Sequence, residues 1–231
     1  MIPTGKERRL LVIAPHADDE VLGCGGYMAK VVAEGGDVMC VVASIGDIHF
    51  LHLNRVVTIE ERVEEYTHAL EALGVKNSAI LTYGKESILE TYPSGKMVRE
   101  LDLVQQAFQP TEVLLPLPSF HQDHVYMWNV CIAATRPSAA KHSPNIVAAY
   151  EYPAQCWGES SSYDAGRGGM YVNVSDYFDK KCHALSKYTT QMREEGHLIS
   201  IEGATALARL RGLESGYKYA ELFHTLRIKM D

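Results

Sequence analysis

Short apolar runs alternate along this chain with segments of helical spacing, and that order restricts the folds open to it more than any other feature. The run LLVIA just before Pro15 is apolar at every position, as expected of a strand buried on both faces. The spacing then predicts a helix over 20–34, stopped by Gly35-Gly36. DVMCVVAS (37–44) reads as a second buried strand. Thr58 followed by Glu61 is a capping-box pattern, so a helix is predicted over 58–73, stopped by Gly74. SAILTY (78–83) reads as a third strand, and 96–108 as a helix closed by Pro110. EVLLPLP (112–118) is a fourth strand, 123–134 a helix and NIVAAYEY (145–152) a fifth strand. This βαβα order predicts a Rossmann-like, three-layer α/β/α fold with a mostly parallel sheet.

Beyond the fifth strand the pattern loosens. The stretch 153–169 is polar, with clustered Ser and Gly, and is read as a long loop at the mouth of an active site. MYVNV (170–174) reads as a short strand, and 176–192 and 203–213 as closing helices. With no internal repeat or low-complexity tract, the chain is read as one domain over 1–231.

Hydrophobic residues at 46% and charged residues at 22% are ordinary for a globular protein and exclude a disordered chain. A net charge of −7 argues against nonspecific binding to nucleic acid and against attraction to anionic membranes. LLVIA is too short for a signal-peptide core, because it meets Pro15 and then Asp18, Asp19 and Glu20. The five cysteines, Cys24, Cys40, Cys131, Cys156 and Cys182, are scattered and form no CxxC. They are read as reduced thiols of a cytoplasmic protein without a membrane anchor. The acidic surface disfavours nonspecific association but is compatible with a specific homo-oligomer.

Two polar clusters stand at strand ends. Pro15-His16-Ala17-Asp18-Asp19-Glu20 follows the first strand, and His121-Gln122-Asp123-His124 follows the fourth. In open parallel sheets the carboxyl ends of the strands form the ligand crevice, so both clusters are expected on one edge. Imidazole and carboxylate together suit Zn2+, which takes three protein ligands and an open water position in catalytic sites. His16, one of Asp18 and Asp19, and one of His121 and His124 fill that count. The other aspartate and histidine are left as general base and oxyanion partner. An Asp-Asp pair after a strand also serves as a helix N-cap with its charge at the dipole. The pairing of two such clusters is what favours a metal site.

The string LLVIAPHADDEVLGCGG resembles the N-terminal signature of the LmbE/PIG-L family of zinc-dependent N-deacetylases, whose motif is (P/A)HPDDE, and HQDH resembles its HxDH. The likeness continues through 61–74, 181–191 and RGLESGYKYAELF (211–223). The resemblance implies zinc-dependent removal of an acetyl group from an N-acetylglucosamine-containing sugar or glycoconjugate. It implies His16, Asp19 and His124 as zinc ligands and Asp18 as the base acting on the zinc-activated water. It implies His121 as the oxyanion partner and as a proton donor to the leaving amine, Asp123 as a carboxylate that orients a histidine, and Arg62 as a substrate contact. There are two departures. Ala17 replaces a usual Pro, removing a fixed φ, and Leu89-Glu90-Thr91-Tyr92-Pro93 carries Glu90 where relatives have a substrate-contacting Asp.

Gly23-Cys24-Gly25-Gly26 is not the dinucleotide fingerprint, and close helix–sheet packing is its expected role, with Cys24 a buried thiol. Trp157 is a candidate sugar-stacking ring, and His49 and His52 are expected as exposed loop residues. Arg211 and Glu221 suit a buried ion pair or a helix-end contact as well as a substrate contact. Two other functions remain in contrast: a nucleotide-binding Rossmann-like enzyme, which the missing glycine fingerprint disfavours, and a catalytically silent binding module, which the intact motifs disfavour.

Overall fold

The computed structural model describes residues 4–137, 142–156 and 169–230. Its strands are β1 (Arg9–Ala14), β2 (Asp37–Ile45), β3 (Ile48–Phe50), β4 (Arg55–Val57), β5 (Asn77–Tyr83), β6 (Glu112–Pro116), β7 (Ile146–Tyr150), β8 (Gly169–Asn173) and β9 (Ala220–Ile228). The helices are α1 (Asp19–Ala33), α2 (Ile59–Leu73), α3 (Ser94–Phe108), α4 (Gln122–Ala134), α5 (Phe178–Leu185) and α6 (Ile201–Ser215).

Seven strands form one sheet in the order β5-β2-β1-β6-β7-β9-β8. The first five run parallel; β9 pairs antiparallel with both β7 and β8. The mostly parallel α/β architecture expected from the sequence is therefore the one observed. Alternate residues of β1 feed two cores. Leu10, Val12 and Ala14 pack with Leu22, Met28 and Tyr150, whereas Leu11 and Ile13 pack with Leu101, Leu115 and Met127. This two-sided burial is why the strand reads as an unbroken apolar run.

Local signals are realised closely in the first two-thirds of the chain. The Thr58 hydroxyl accepts from the Glu61 N–H at 3.3 Å and the Glu61 carboxylate accepts from the Thr58 N–H at 3.0 Å, the full capping box. Helix α2 then ends at Gly74, whose φ of +80° only glycine adopts without strain. The Gly23–Gly26 stretch is indeed a packing device: a Cβ on Gly23 would overlap the Tyr150 ring, and one on Gly26 would lie 2.8 Å from the Val174 Cβ. Cys24, Cys40 and Cys131 are buried free thiols and Cys182 is half-buried.

The C-terminal third differs from the sequence expectation. The helix predicted over 176–192 ends at Leu185 as α5. Buried Glu65 explains the change, because it accepts from the Thr190 N–H at 2.8 Å and from the hydroxyls of Thr189 and Thr190, pulling that segment into turns. Strand β9 and the β3–β4 hairpin were not expected. Among the described residues no helix is long and apolar enough to cross a membrane.

Register fixes the functional edge. Ala14 pairs with Val42, and Pro116 pairs with Tyr150, so the loops after β1, β2, β6 and β7 leave from the same side. The His16 and His121 clusters are brought together there.

Candidate active site

The tight exit from β1 delivers His16, Ala17 and Asp18 to the start of α1, and the exit from β6 delivers His121 to the N-cap of α4. The two segments meet at Asp19. Its Oδ2 lies 3.3 Å from His16 Nδ1 and 3.2 Å from His124 Nε2, and accepts from the His16 backbone N–H at 3.2 Å. All three side chains are buried. They can hold one metal ion, since their donor atoms lie within 4.8 Å of one another.

His16 is held from its other side. Asp123 Oδ2 lies 2.8 Å from His16 Nε2. Asp123 itself is fully buried and accepts from the backbone N–H groups of Ser87 at 2.6 Å and Leu89 at 3.0 Å. A carboxylate on the far nitrogen of an imidazole fixes its tautomer and aim, leaving Nδ1 as the lone-pair donor. Asp123→Asn is expected to weaken metal binding by about 10–100-fold while leaving the fold intact. A competition titration with a chromogenic chelator measures this without any assay of activity; an unchanged affinity would remove the orienting role.

His121 is placed differently. Its Nδ1 accepts the Asp123 backbone N–H at 3.2 Å, and the His121 backbone N–H donates to Ser119 Oγ at 3.2 Å. An Nδ1 that accepts leaves the proton of the neutral ring on Nε2. The His121 ring centroid is 4.8 Å from that of His16 and 5.7 Å from that of His124. Burial and the neighbouring His16 and His124 push its pKa below the usual histidine value, favouring the neutral donor form.

Asp18 occupies the N-cap position of α1 but makes no side-chain cap hydrogen bond, and its φ is +133°. The N-cap role weighed from the sequence is therefore not the one its carboxylate plays. Burial, then the adjacent Asp19 and Glu20, push its pKa well above the ordinary carboxylate value. Burial alone would lower the His16 pKa, but its hydrogen bonds with Asp123 and Asp19 outweigh that and raise it strongly. Burial disfavours ionised Asp19, but His124 and His16 prevail and hold its carboxyl far below the usual range. The spacing suits a cation: ligands about 2.1 Å from a tetrahedral Zn2+ stand about 3.4 Å apart, close to the 3.2 and 3.3 Å separations here.

The two residues expected to contact substrate do not join this cluster. Arg62 is fully buried; its Nη1 donates to the Gly46 carbonyl at 3.1 Å and to Glu86, and its Nη2 donates to Gln191 Oε1 at 3.0 Å. It ties the loop after β2 to the segment after α5, and its charge acts on Asp18. Glu90 is exposed on a single helical turn, beside the Leu89 whose N–H holds Asp123. His49 and His52 are exposed, as expected. Trp157 lies outside the described residues, as does most of the loop proposed for the site mouth. Arg211 makes a two-pronged ion pair with Glu151, at 2.5 and 2.7 Å, and Glu221 pairs with buried Lys181 at 2.7 Å. The family-like C-terminal segment therefore contributes structural ion pairs.

Sequence reasoning missed several supports. Glu86 and Gln191 bind Arg62, and Tyr152 sets its ring, tilted, 5.0 Å from that of His124 while donating to Ser119 at 3.1 Å. Arg193, with its guanidinium carbon 5.4 Å from the Phe50 ring, donates to His52 at 2.8 Å. The 192–200 turns carry no periodicity that announces such roles.

Comparison with known proteins agrees with this picture. The family profile described as PIG-L, GlcNAc-PI de-N-acetylase, matches residues 11–135. A diacetylchitobiose deacetylase of Thermococcus kodakarensis is 26% identical over 95% of this chain and 83% of its own length. A probable N-acetyl-alpha-D-glucosaminyl L-malate deacetylase 2 of Bacillus cereus is 25% identical over 92% of this chain and 98% of its own. Among solved structures, the 4-carboxy-2-hydroxymuconate hydratase GalB of Pseudomonas putida KT2440 superposes with a TM-score of 0.76 at 20% identity, covering 97% of this chain and 98% of that one. That last likeness is one of fold.

Proposed function

The chain belongs to the PIG-L family of GlcNAc-PI de-N-acetylases, and from that premise we propose that it is a metal-dependent N-deacetylase acting on an N-acetylglucosamine-containing sugar or glycoconjugate. The observation that carries the reading is the convergence of His16 Nδ1 and His124 Nε2 on Asp19 Oδ2, with Asp18 uncapped beside them. The fold alone does not carry it, because the same architecture serves a hydratase. The family match and the two relatives named as deacetylases support the reaction class.

His16, Asp19 and His124 would hold the ion, for which Zn2+ fits the mixed nitrogen and oxygen donors. Bound there, it supplies Lewis acidity, lowering the pKa of water and polarising the acetamido carbonyl. Asp18, free of any cap bond, takes a proton from the attacking water. His121 offers its Nε2–H to the carbonyl oxygen as negative charge develops on it. The carbonyl carbon gains an oxygen, the C–N bond breaks, and the proton held by Asp18 passes to the departing nitrogen. The products are acetate and a free amine. Asp123 takes no part in bond making; it keeps His16 aimed.

The test pairs metal analysis of the purified chain with acetate release from a panel of N-acetylglucosamine derivatives, with and without chelator. About one divalent ion per chain and chelator-sensitive release are expected. A chain reloaded with Zn2+ that releases no acetate from any of these sugars would overturn the proposal.

A further inference from the structure

Asp18 adopts a conformation that a side chain rarely takes, φ +133° and ψ −32°. An ordinary N-cap aspartate lies in the extended region and turns its carboxylate back onto the first helical N–H groups. The strained form persists only where the surroundings over-determine it. Ala17 supplies no ring to stiffen the approach. The restraint comes instead from Glu20, which is completely buried and whose Oε2 accepts the Asp18 N–H at 3.0 Å. The other Glu20 oxygen takes the hydroxyl of Tyr188, also completely buried. Tyr188 stands in the turn region after α5, and Glu65 of α2 anchors the next two residues through Thr189 and Thr190. A distant part of the chain thereby reaches the peptide N–H of Asp18 through one carboxylate.

We infer that Glu20 and Tyr188 are positioning residues, holding the Asp18 backbone in its strained form so that the carboxylate stays off the α1 N-terminus and available to the His16–Asp19–His124 cluster. The inference rests on the reading of Asp18 as the base. Neither Glu20 nor Tyr188 belongs to the metal-holding group, so their removal should alter turnover without altering metal affinity.

The experiment uses the full chain loaded with Zn2+. Tyr188→Phe keeps the ring and deletes one hydrogen bond to a carboxylate, a loss that corresponds to about a tenfold or larger effect. The expected result is kcat down about tenfold, with KM and Zn2+ affinity unchanged. Glu20→Gln keeps an acceptor for the Asp18 N–H and should retain far more turnover than Glu20→Ala. In an Asp18→Asn background Tyr188→Phe should cost nothing further, because both changes act on the same group. An equal loss in both backgrounds would mean that the pair supports only the general fold and would overturn the inference. Unchanged kcat in Tyr188→Phe and in Glu20→Ala, with Asp18→Asn inactive, would overturn it while leaving the base reading intact. A fully active Asp18→Asn would remove the base reading itself and the inference with it. Should Tyr188→Phe fail to fold, the contrast between Glu20→Gln and Glu20→Ala carries the same decision.

Discussion

Asp18→Asn is expected to lose about 10²–10⁴-fold in kcat, the range over which a positioned general base contributes, while retaining its fold and its metal. Asparagine nearly matches aspartate in volume, so the packing around it is unchanged. It also tolerates positive φ, so the observed +133° is kept. The Asp18 N–H still donates to Glu20, because that bond uses the backbone. What is lost is the capacity to accept a proton from water. Metal affinity should hold, since Asp18 belongs to neither group of side chains placed to share one ion, His16–Asp19–His124 or His16–His121–Asp123. Single-turnover acetate release and metal content, measured on the same preparation, separate the two effects. Full activity in a metal-loaded Asp18→Asn chain would remove Asp18 from the chemistry.

The strands and helices of the parallel half were legible because each carries a local signal. Two-sided burial makes β1 and β2 continuous apolar runs, and Thr58 with Glu61 marks the start of α2 by a reciprocal bond within four residues. The paired polar clusters were legible for a topological reason: parallel strands send their carboxyl ends to one edge. What stayed hidden depends on contacts between distant segments. The turns after α5 follow from Glu65, more than a hundred residues away in sequence. Asp123 is held by two backbone N–H groups of the 87–89 turn, which any residue but proline supplies. The resemblance marks Arg62 only as a substrate contact; its burial rests on Glu86, Gln191 and the Gly46 carbonyl, which no spacing rule joins. Strand β9 carries buried Glu221 as its second residue, which hides the strand from any reading by hydrophobic alternation.

That same glutamate sets the second large effect, this time on stability. Lys181 and Glu221 are both almost fully buried and lie 2.7 Å apart. Lys181 Nζ also donates to the Leu22 carbonyl at 2.8 Å, while the Glu221 carboxylate accepts the N–H groups of Gly26 at 2.9 Å and Tyr27 at 2.8 Å. The pair is thus inserted into the hydrogen bonding of α1 at the point where its glycines press on the sheet, and it joins α5 and β9 to that helix. Deleting one partner leaves a buried charge without its counter-ion, which typically costs about 3–5 kcal/mol. Lys181→Ala is therefore expected to unfold roughly 10 °C lower, given about 2–4 °C per kcal/mol for a domain of this size. Lys181→Met combined with Glu221→Gln, which removes both charges and keeps much of the volume, should recover most of that loss. The turnover per folded molecule should change little in either variant at a temperature well below unfolding. A normal melting temperature with abolished turnover in Lys181→Ala would instead assign the C-terminal segment to the reaction and reverse the structural reading of Glu221.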